Sequence, residues 1–170
     1  ISRLESGEVK PHMDEFDIIK VVDEVFDALE MRAKKKGIKL DFASNYNKPI
    51  KVMADRKRII EVVNNLVINS INYGKKNGKT TISFMDMGQN VLIDVTDDGI
   101  GISENDIPRI FERFFRTDNS RSRDQGGTGL GLAIVKHIIE AHNQTINVRS
   151  KIDKGSSFVF TLKKADLDTK

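Results

Sequence analysis

The stretch DRKRIIEVVNNLVINSINYG, residues 55–74, combines apolar residues at helical spacing with a line of polar side chains. Asp55 can cap the N-terminus of a helix, and the apolar positions predict that this helix covers nearly the whole stretch. Glu61, Asn65 and Asn69 are four residues apart, so they form one polar stripe along the helix. Such a stripe on an otherwise apolar helix indicates that the polar groups have a partner.

The polar stripe has two possible interpretations. Asparagines on a helix surface are often simply solvated, which would give the stripe no function. Alternatively, Asn69 coordinates a magnesium ion and Asn65 assists, because Mg²⁺ prefers hard oxygen ligands and often takes only one or two protein groups beside nucleotide phosphates. We favour the magnesium site, since three polar groups in register on so apolar a helix are unusual.

Helices and strands are mixed along the rest of the chain. Hydrophobic spacing predicts a first amphipathic helix over Ile18–Lys36 that ends at Gly37. The expected elements after it are short strands at 38–44 and 51–54, the helix at 55–73, a hairpin over 80–97, a helix at about 130–142 and strands at 145–150 and 156–162. This mixture disfavours a purely parallel nucleotide-binding fold. We therefore predict an α/β (α+β) two-layer sandwich whose mixed, mostly antiparallel sheet is backed by about three helices.

Composition and charge restrict the partners of the chain. The 170 residues suffice for about one domain, and no apolar run approaches the roughly 20 residues of a membrane span. The net charge of +3 is too small to indicate nucleic acid, and the absence of cysteine excludes disulfides. The basic run Lys34–Lys36 is expected to be a solvated helix end, with an anion-binding patch as the less favoured alternative. We expect a cytoplasmic chain that contacts neither nucleic acid nor membrane.

The segment VTDDGIGIS, residues 95–103, begins in a predicted strand that ends at Asp97. The carboxylate of Asp97 can accept a hydrogen bond from an exocyclic amine. Gly99 and Gly101 remove side chains on either side of Ile100, which would let a flat ligand approach the backbone closely. An ordinary Asp-Gly turn is the alternative.

The segment DQGGTGLGLAIVK, residues 124–136, places four glycines before an apolar helix-like run. Such glycines either present backbone amides to a phosphate at a helix N-terminus or form a slack loop. Leu132 stands where the dinucleotide pattern requires glycine or alanine, which excludes a Rossmann site. GKKNGKT, residues 74–80, is one residue short of P-loop spacing, and His137 and His142 are five residues apart, which disfavours a helical zinc pair.

Together these segments resemble the sequence boxes of sensor histidine kinases, in the order of that family. NNLVINSINYG resembles the N box, DDGIGI the G1 box, IFERFFR the F box, GGTGLGLAIVK the G2 box and KGSSFVFTL the last glycine-containing box. The resemblance spans roughly Phe16 to Leu162, and five ordered motifs are far more specific than any one of them. It implies the histidine-kinase ATPase-like fold shared with gyrase, Hsp90 and the MutL mismatch-repair protein.

The resemblance implies a site for ATP and Mg²⁺ between these boxes. Asp97 would read the adenine amino group, with Gly99 and Gly101 under the base, while Asn65 and Asn69 would face the phosphates and the metal. The implied catalytic residues are Glu61, Asn65 and Arg116. The implied nucleotide contacts are Asn65, Asn69, Asn72, Tyr73, Asp97, Gly99, Gly101, Ile102, Phe111, Arg121, Arg123, Gly127, Thr128, Gly129, Leu130, Gly131 and Leu132.

The resemblance also implies a lid over the nucleotide at about residues 103–128. Phe111, Phe114 and Phe115 would pack this lid against the body, although such a hydrophobic trio could equally be plain core. The arginines in or beside the lid would clamp the phosphates, while at least one of them is expected to be solvated. These arginines are Arg116, Arg121 and Arg123.

Two departures from the family's pattern matter. Many members carry Lys or Arg three residues after the magnesium asparagine, where this chain has Asn72, so phosphate charge must be met elsewhere, for example by the lid arginines. The phosphoacceptor histidine with its acidic neighbour is also absent, since His12 belongs to a linker. By resemblance, residues 1–13 are the end of a dimerisation and phosphoacceptor helix with its linker, 14–164 the catalytic domain and 165–170 a tail.

The function implied is that of a protein-histidine kinase. Its ATP-binding domain would transfer the γ-phosphoryl group to a histidine on the parent's dimerisation domain, from which the aspartate of a cognate response regulator takes it. Alone, the chain is not expected to phosphorylate itself. Two alternatives stay open: an ATPase in which Glu61 activates water, and a non-catalytic module that binds nucleotide or a partner. The resemblance is compatible with a parent protein anchored in the bacterial inner membrane.

Overall fold

The computed structural model describes residues 10–115 and 131–165, and in those parts it contains three α-helices and a sheet of seven strands. The elements are β1 (Asp14–Asp17), α1 (Ile18–Lys36), β2 (Lys39–Phe42), β3 (Lys51–Ala54), α2 (Arg56–Asn72), β4 (Lys79–Asp86), β5 (Asn90–Asp97), a 3₁₀ turn (Ile107–Arg109), α3 (Gly131–Ala141), β6 (Ile146–Lys151) and β7 (Gly155–Lys164). The predicted mixture of helices and strands is confirmed.

The sheet is mixed and mostly antiparallel, as predicted. Its strand order is β1-β3-β7-β5-β4-β2, with β6 paired alongside β7. The pair β2 and β4 is parallel, and the other strand pairs are antiparallel. The predicted hairpin forms from β4 and β5, and β5 then pairs along its whole length with β7.

The three helices cover one face of the sheet, which makes two layers. Alternation along β5 turns Val91, Ile93 and Val95 toward the helices, and each is buried. Asp97 is the next residue in this inward series, and its partner on the neighbouring strand β7 is Ser156. Because of the same alternation, the carboxylate of Asp97 lies at the edge of the core.

The helix boundaries follow local chemistry that the sequence predicted. The side chain of Asp55 caps α2 by accepting from the backbone N–H of Arg58 at 3.3 Å. Helix α1 ends at Gly37, whose φ of 76° is left-handed and whose N–H donates to the carbonyls of Ala33 and Lys34. Both predicted boundary residues are confirmed.

The strands before α2 have two features that the sequence did not predict. Strand β1 was not predicted, because Asp14–Asp17 is too short and too acidic to show a strand pattern. The short strands β2 and β3 are not paired with each other: β2 pairs with β4, whereas β3 pairs with β1 and β7. Hydrophobic alternation indicates a strand but does not indicate its partner.

The polar turn between β2 and β3 protects an edge of the sheet. Strand β2 ends at Phe42, while its neighbour β4 continues to Asp86. The backbone N–H of Phe84, beyond the end of β2, donates to the hydroxyl of Tyr46 at 3.1 Å, and the two rings pack edge to face. Tyr46 thus takes the hydrogen bond that a longer β2 would provide.

No helix in the described ranges is both long and apolar enough to cross a bilayer.

Candidate functional site

The polar stripe of α2 approaches α3 at Asn65. Glu61, Asn65 and Asn69 are each half-buried, while most apolar residues of the helix are buried. A Cβ atom placed on Gly131, the first residue of α3, would lie 3.5 Å from Oδ1 of Asn65. The amide of Asn65 therefore faces the start of the helix that follows the glycine-rich segment.

Glu61 has a neighbouring cation within its own helix. Nη1 of Arg58 lies 3.5 Å from Oε1 of Glu61, and both side chains are partly exposed. At that distance and exposure the pair is weak. The carboxylate keeps most of its capacity to accept hydrogen bonds.

Asp97 is the buried charge of the site, with an exposed fraction of 5%. Its Oδ1 accepts from the backbone N–H of Gly99 at 2.9 Å, and the backbone N–H of Ser156 also donates to the carboxylate. Burial raises the pKa of Asp97 to about 6, these two hydrogen bonds act in the opposite direction, and the nearby Asp98 carboxylate adds to the rise. A strongly perturbed buried carboxylate in such a position is typical of a functional site.

Gly99 and Gly101 have a structural reason that the sequence did not reveal. A Cβ on Gly99 would lie 2.1 Å from the carbonyl oxygen of Tyr73, and a Cβ on Gly101 would lie 2.1 Å from that of Lys151. Between them, the N–H of Ile100 donates to the Tyr73 carbonyl at 3.0 Å. Each glycine makes room for a carbonyl of the same chain, and the expected close approach of a flat ligand to the backbone is not tested by this contact. That an adenine base lies over them stays a prediction.

The segment after Asp97 is therefore fixed between two other elements. On one side it contacts Tyr73, the residue that caps the C-terminus of α2. On the other side it contacts the turn between β6 and β7, where the N–H of Asp153 donates to the carbonyl of Ile100 at 2.8 Å. The N–H of Ile102 donates to the hydroxyl of Ser150 at 2.7 Å. Asp97 is thus held at a junction of α2, β5 and the final hairpin.

The three phenylalanines expected to pack the lid have different environments. The ring of Phe111 packs edge to face on that of Phe158 in the core, with centroids 6.2 Å apart. Phe115 lies under the guanidinium of Arg109, 4.5 Å from ring centroid to Cζ. Phe114 is 66% exposed, so the expectation that it packs against the body is wrong in this structure. Phe114 has a left-handed φ of 65°, which turns the backbone between Phe111 and Phe115.

The remaining predicted contacts divide between described and undescribed parts of the chain. Asn72 and Tyr73 end α2, and Leu132 is half-buried in α3 beside the core. The predicted residues that lie outside the described ranges are Arg116, Arg121, Arg123, Gly127, Thr128, Gly129 and Leu130. The first nine residues and residues 166–170 lie outside them as well.

The donor set on α2 fits a magnesium ion that is shared with a ligand. In the described parts of the chain, no group of three or more His, Cys, Asp or Glu side chains is arranged for a metal. The amide oxygens of Asn65 and Asn69 are hard donors on one half-buried helix face. Two such groups suit a Mg²⁺ ion whose other ligands are phosphate oxygens and water, since Mg²⁺ rarely takes an all-protein cage.

Two contributions to the site were missed from the sequence. Ser156 donates its backbone N–H to Asp97, which the strand register of β5 and β7 makes possible. The side chain of Lys36 donates to the carbonyl oxygen of Asn72 at 2.6 Å, so the first helix reaches the end of the second. The first depends on the pairing of β5 with β7, which alternation does not indicate, and nothing in the sequence places α1 beside Asn72.

Comparison with known proteins agrees with this geometry. The model of the family described as histidine kinase-, DNA gyrase B-, and HSP90-like ATPase matches residues 54–166. Over 164 residues the chain is 41% identical to the sensor-like histidine kinase SenX3 of Mycobacterium tuberculosis, which covers 95% of this chain and 39% of SenX3. The chain thus spans about two-fifths of the length of that curated relative.

Two solved structures are similar in both fold and sequence. The catalytic domain of histidine kinase ThkA, in a nucleotide free form, has a TM-score of 0.77 at 34% identity, covering 90% of this chain and 98% of that one. ThkA in complex with the response regulator protein TrrA has a TM-score of 0.76 at 29% identity, covering 96% of this chain and 46% of that one. In the ThkA catalytic domain, nearly the whole chain corresponds to the fold described above.

Proposed function

The chain belongs to the histidine kinase-, DNA gyrase B-, and HSP90-like ATPase family as the ATP-binding catalytic domain of a histidine kinase, and we propose that it binds Mg-ATP between α2, the end of β5 and the start of α3. In this proposal the adenine amino group donates to Asp97. The phosphates lie along the polar stripe of α2, toward Gly131.

The observation that carries the proposal is the buried position of Asp97. A carboxylate that is 5% exposed and held by two backbone donors still has unused lone pairs. An exocyclic amine is a suitable donor for them, and a buried acceptor left without a partner is costly. Asp97 is therefore suited to select adenine by hydrogen bonding.

Asp97 can be tested with a matched carboxylate on the same strand. Asp94 lies in β5 on the other face of the sheet, where it accepts from the hydroxyl of Thr96 at 2.6 Å. We expect Asp97→Ala to weaken Mg-ATP binding by at least about 30-fold, and Asp94→Ala to change it by less than about twofold. Titration calorimetry on both variants measures this. Equal effects of the two substitutions would contradict the role of Asp97.

We propose Asn69 as the magnesium ligand, with Asn65 as its assistant. Bound there, Mg²⁺ would supply positive charge that offsets the charge of the phosphates. The amide oxygens of Asn65 and Asn69 would hold it on the α2 face. The lid arginines Arg116, Arg121 and Arg123 are proposed as further phosphate contacts.

We propose that the parent protein transfers the γ-phosphoryl group to a histidine on its own dimerisation domain and then to a response regulator. The nitrogen of the acceptor imidazole attacks the γ-phosphorus, the bond to the β–γ bridging oxygen breaks, and ADP leaves. The name of SenX3 and the complex of ThkA with TrrA support this sequence of steps. Since the proposed substrate is ATP, we propose the cytoplasm as the compartment of this domain.

The buried histidine of the described ranges is poorly placed as an acceptor. His142 is buried, its Nε2 accepts from the N–H of Asp55, and its Nδ1 lies 2.8 Å from the carbonyl oxygen of Ile138. His12 lies beside the start of α2, where its backbone N–H donates to Asp55 at 2.9 Å. None of the three histidines is followed by the acidic residue of the phosphoacceptor motif, so the acceptor is expected on another domain.

Radiolabelled ATP tests the transfer. We expect no histidine phosphorylation when the chain is incubated alone with Mg-ATP. Label is expected on a separately produced dimerisation domain from the parent protein when the two are mixed. Labelled phosphohistidine on this chain alone would overturn the proposal.

An ATPase is the second candidate because of the position of Glu61. It lies one turn before Asn65 on the same stripe and is half-buried, so it could activate a water molecule near the phosphates. Steady-state release of phosphate distinguishes this candidate from the kinase.

A further inference from the structure

The C-terminal end of α2 has no cation of its own. The last turn of α2 contains no basic residue. Its free carbonyl groups carry the partial negative charge of the helix dipole. A nucleotide bound along the polar stripe would add phosphate charge close to the same helix.

Helix α1 brings two cations to this end. Nζ of Lys36 donates to the carbonyl oxygen of Asn72 at 2.6 Å, and Nη2 of Arg32 donates to Oδ1 of Asn72 at 3.4 Å. Burial lowers the pKa of the Lys36 ammonium group, and its short bond to a main-chain carbonyl identifies it as a cap of α2. Lys36 therefore neutralises the helix end itself.

Arg32 has a different role from Lys36, because its partner is a side chain and it is exposed. Asn72 lies three residues after Asn69 and seven after Asn65, so the three amides share one face of α2. A guanidinium group bonded to Asn72 is consequently at the edge of the face on which we place the phosphates.

Asn72 is also close to the Asp97 side of the site. The next residue, Tyr73, receives a hydrogen bond from Ile100 and touches Gly99, two residues after Asp97. Arg32 is thus connected to the site through one asparagine, at a point between the polar stripe and the buried carboxylate.

We propose that Arg32 is a phosphate-contacting residue of the nucleotide site and that Asn72 directs its guanidinium toward the phosphates. The inference rests on the function proposed above. A guanidinium has five N–H donors, of which Asn72 takes one, and the others can form a bidentate pair with phosphate oxygens. The 3.4 Å bond to a neutral amide is long, so the guanidinium can turn about it to form charge-assisted bonds with the phosphates.

Arg32→Gln tests the proposal with two ligands. Mg-ATP and adenosine are titrated into the whole chain and followed by NMR, which measures weak as well as tight binding. We expect Arg32→Gln to weaken Mg-ATP about three- to tenfold and to leave adenosine unchanged, because adenosine has no phosphate. Equal losses for both ligands, or no loss for Mg-ATP, would overturn the assignment.

Two further variants sharpen the test. Lys34 is an exposed cation two residues later on the same helix, paired with Glu30 at 3.6 Å, and Lys34→Gln is expected to change Mg-ATP affinity by less than about 1.5-fold. Adding Asn72→Lys to Arg32→Gln is expected to restore the affinity, because the cation then projects from α2 itself. If Lys34→Gln weakened Mg-ATP binding as much as Arg32→Gln, the effect of Arg32 would be one of general charge, and the proposal would be refuted.

The wild-type chain separates this inference from the proposed function. If it binds Mg-ATP and Asp97→Ala abolishes binding, but Arg32→Gln has no effect, only the role of Arg32 is refuted. If the wild-type chain binds no Mg-ATP, the proposed function is refuted together with the role of Arg32.

Discussion

The backbone N–H of Asp55 donates to Nε2 of His142 over 3.0 Å and so joins the start of α2 to the end of α3. Because Nε2 accepts this bond, the proton of the neutral ring is on Nδ1, which donates to the carbonyl of Ile138 at 2.8 Å. The two helices that border the proposed site are thus fixed to each other at the end away from the glycine segment.

His142→Phe is expected to destabilise the fold by about 1–3 kcal/mol, because an aromatic ring stays in place while the N–H of Asp55 loses its acceptor. Urea denaturation of the variant and the wild type measures the free energy of unfolding. His137, on the same helix but half-buried, provides the control: His137→Phe should cost less than about 1 kcal/mol. An unchanged midpoint and slope for His142→Phe would show that the hydrogen bond contributes nothing.

The pKa of Asp97 predicts a specific dependence of stability on pH. Its folded-state pKa of about 6 lies above the ordinary value near 3.8, so the folded state binds the proton more tightly than the unfolded state does. The associated stability is fully present below about pH 3.8 and is lost as the pH rises through about 6. The total corresponds to about 3 kcal/mol.

Asp97→Asn removes this titration and leaves the other acidic groups in place. Relative to this variant, the wild type should lose up to about 3 kcal/mol of unfolding free energy between pH 4 and pH 8. Denaturant unfolding of both proteins at a series of pH values gives the difference directly. Parallel stability profiles for the two proteins would mean that Asp97 titrates normally.

Gly99→Ala should be strongly destabilising for a steric reason. The added Cβ would lie 2.1 Å from the carbonyl oxygen of Tyr73, and a main-chain carbonyl at the end of a helix cannot move without breaking the hydrogen bond from Ile100. We expect a cost of about 3 kcal/mol or more in thermal or denaturant unfolding.

Gly88 is the matched control for Gly99. It lies in the turn between β4 and β5 with φ of 89°, and a Cβ placed there meets nothing within 4 Å. Gly88→Ala therefore costs only backbone strain, about 1 kcal/mol. If the two substitutions cost the same, the close contact with Tyr73 is not what requires glycine at position 99.

The sequence predicted the parts of this fold that depend on local chemistry. The cap at Asp55, the left-handed end at Gly37 and the hairpin of β4 and β5 require only neighbouring residues, and each was predicted. The inward position of Asp97 follows from alternation along β5. Local patterns do not indicate that distant motifs form one site, and this expectation came from the resemblance to sensor histidine kinases.

The features that the sequence did not predict are contacts between distant elements. The carbonyl of Tyr73 excludes a side chain at Gly99, and Lys36 of the first helix caps the second. Neither contact has a signature in the residues that form it, since a lysine run and an Asp-Gly segment occur in many environments. The same holds for Phe114, whose exposure depends on a left-handed backbone angle that phenylalanine rarely adopts.

The position of Glu61 yields a prediction that separates kinase from ATPase. Its carboxylate has Arg58 at 3.5 Å and lies one helical turn from Asn65. If the chain is a kinase domain whose acceptor is a histidine elsewhere, phosphate release by the chain alone should be slow, and Glu61→Gln should change it by less than about twofold. A general base that activates water contributes about 10²- to 10⁴-fold, so a loss of that size in Glu61→Gln would instead identify an ATPase. Steady-state phosphate release at saturating Mg-ATP measures both rates, and Glu30→Gln on the exposed face of α1 controls for the change in net charge.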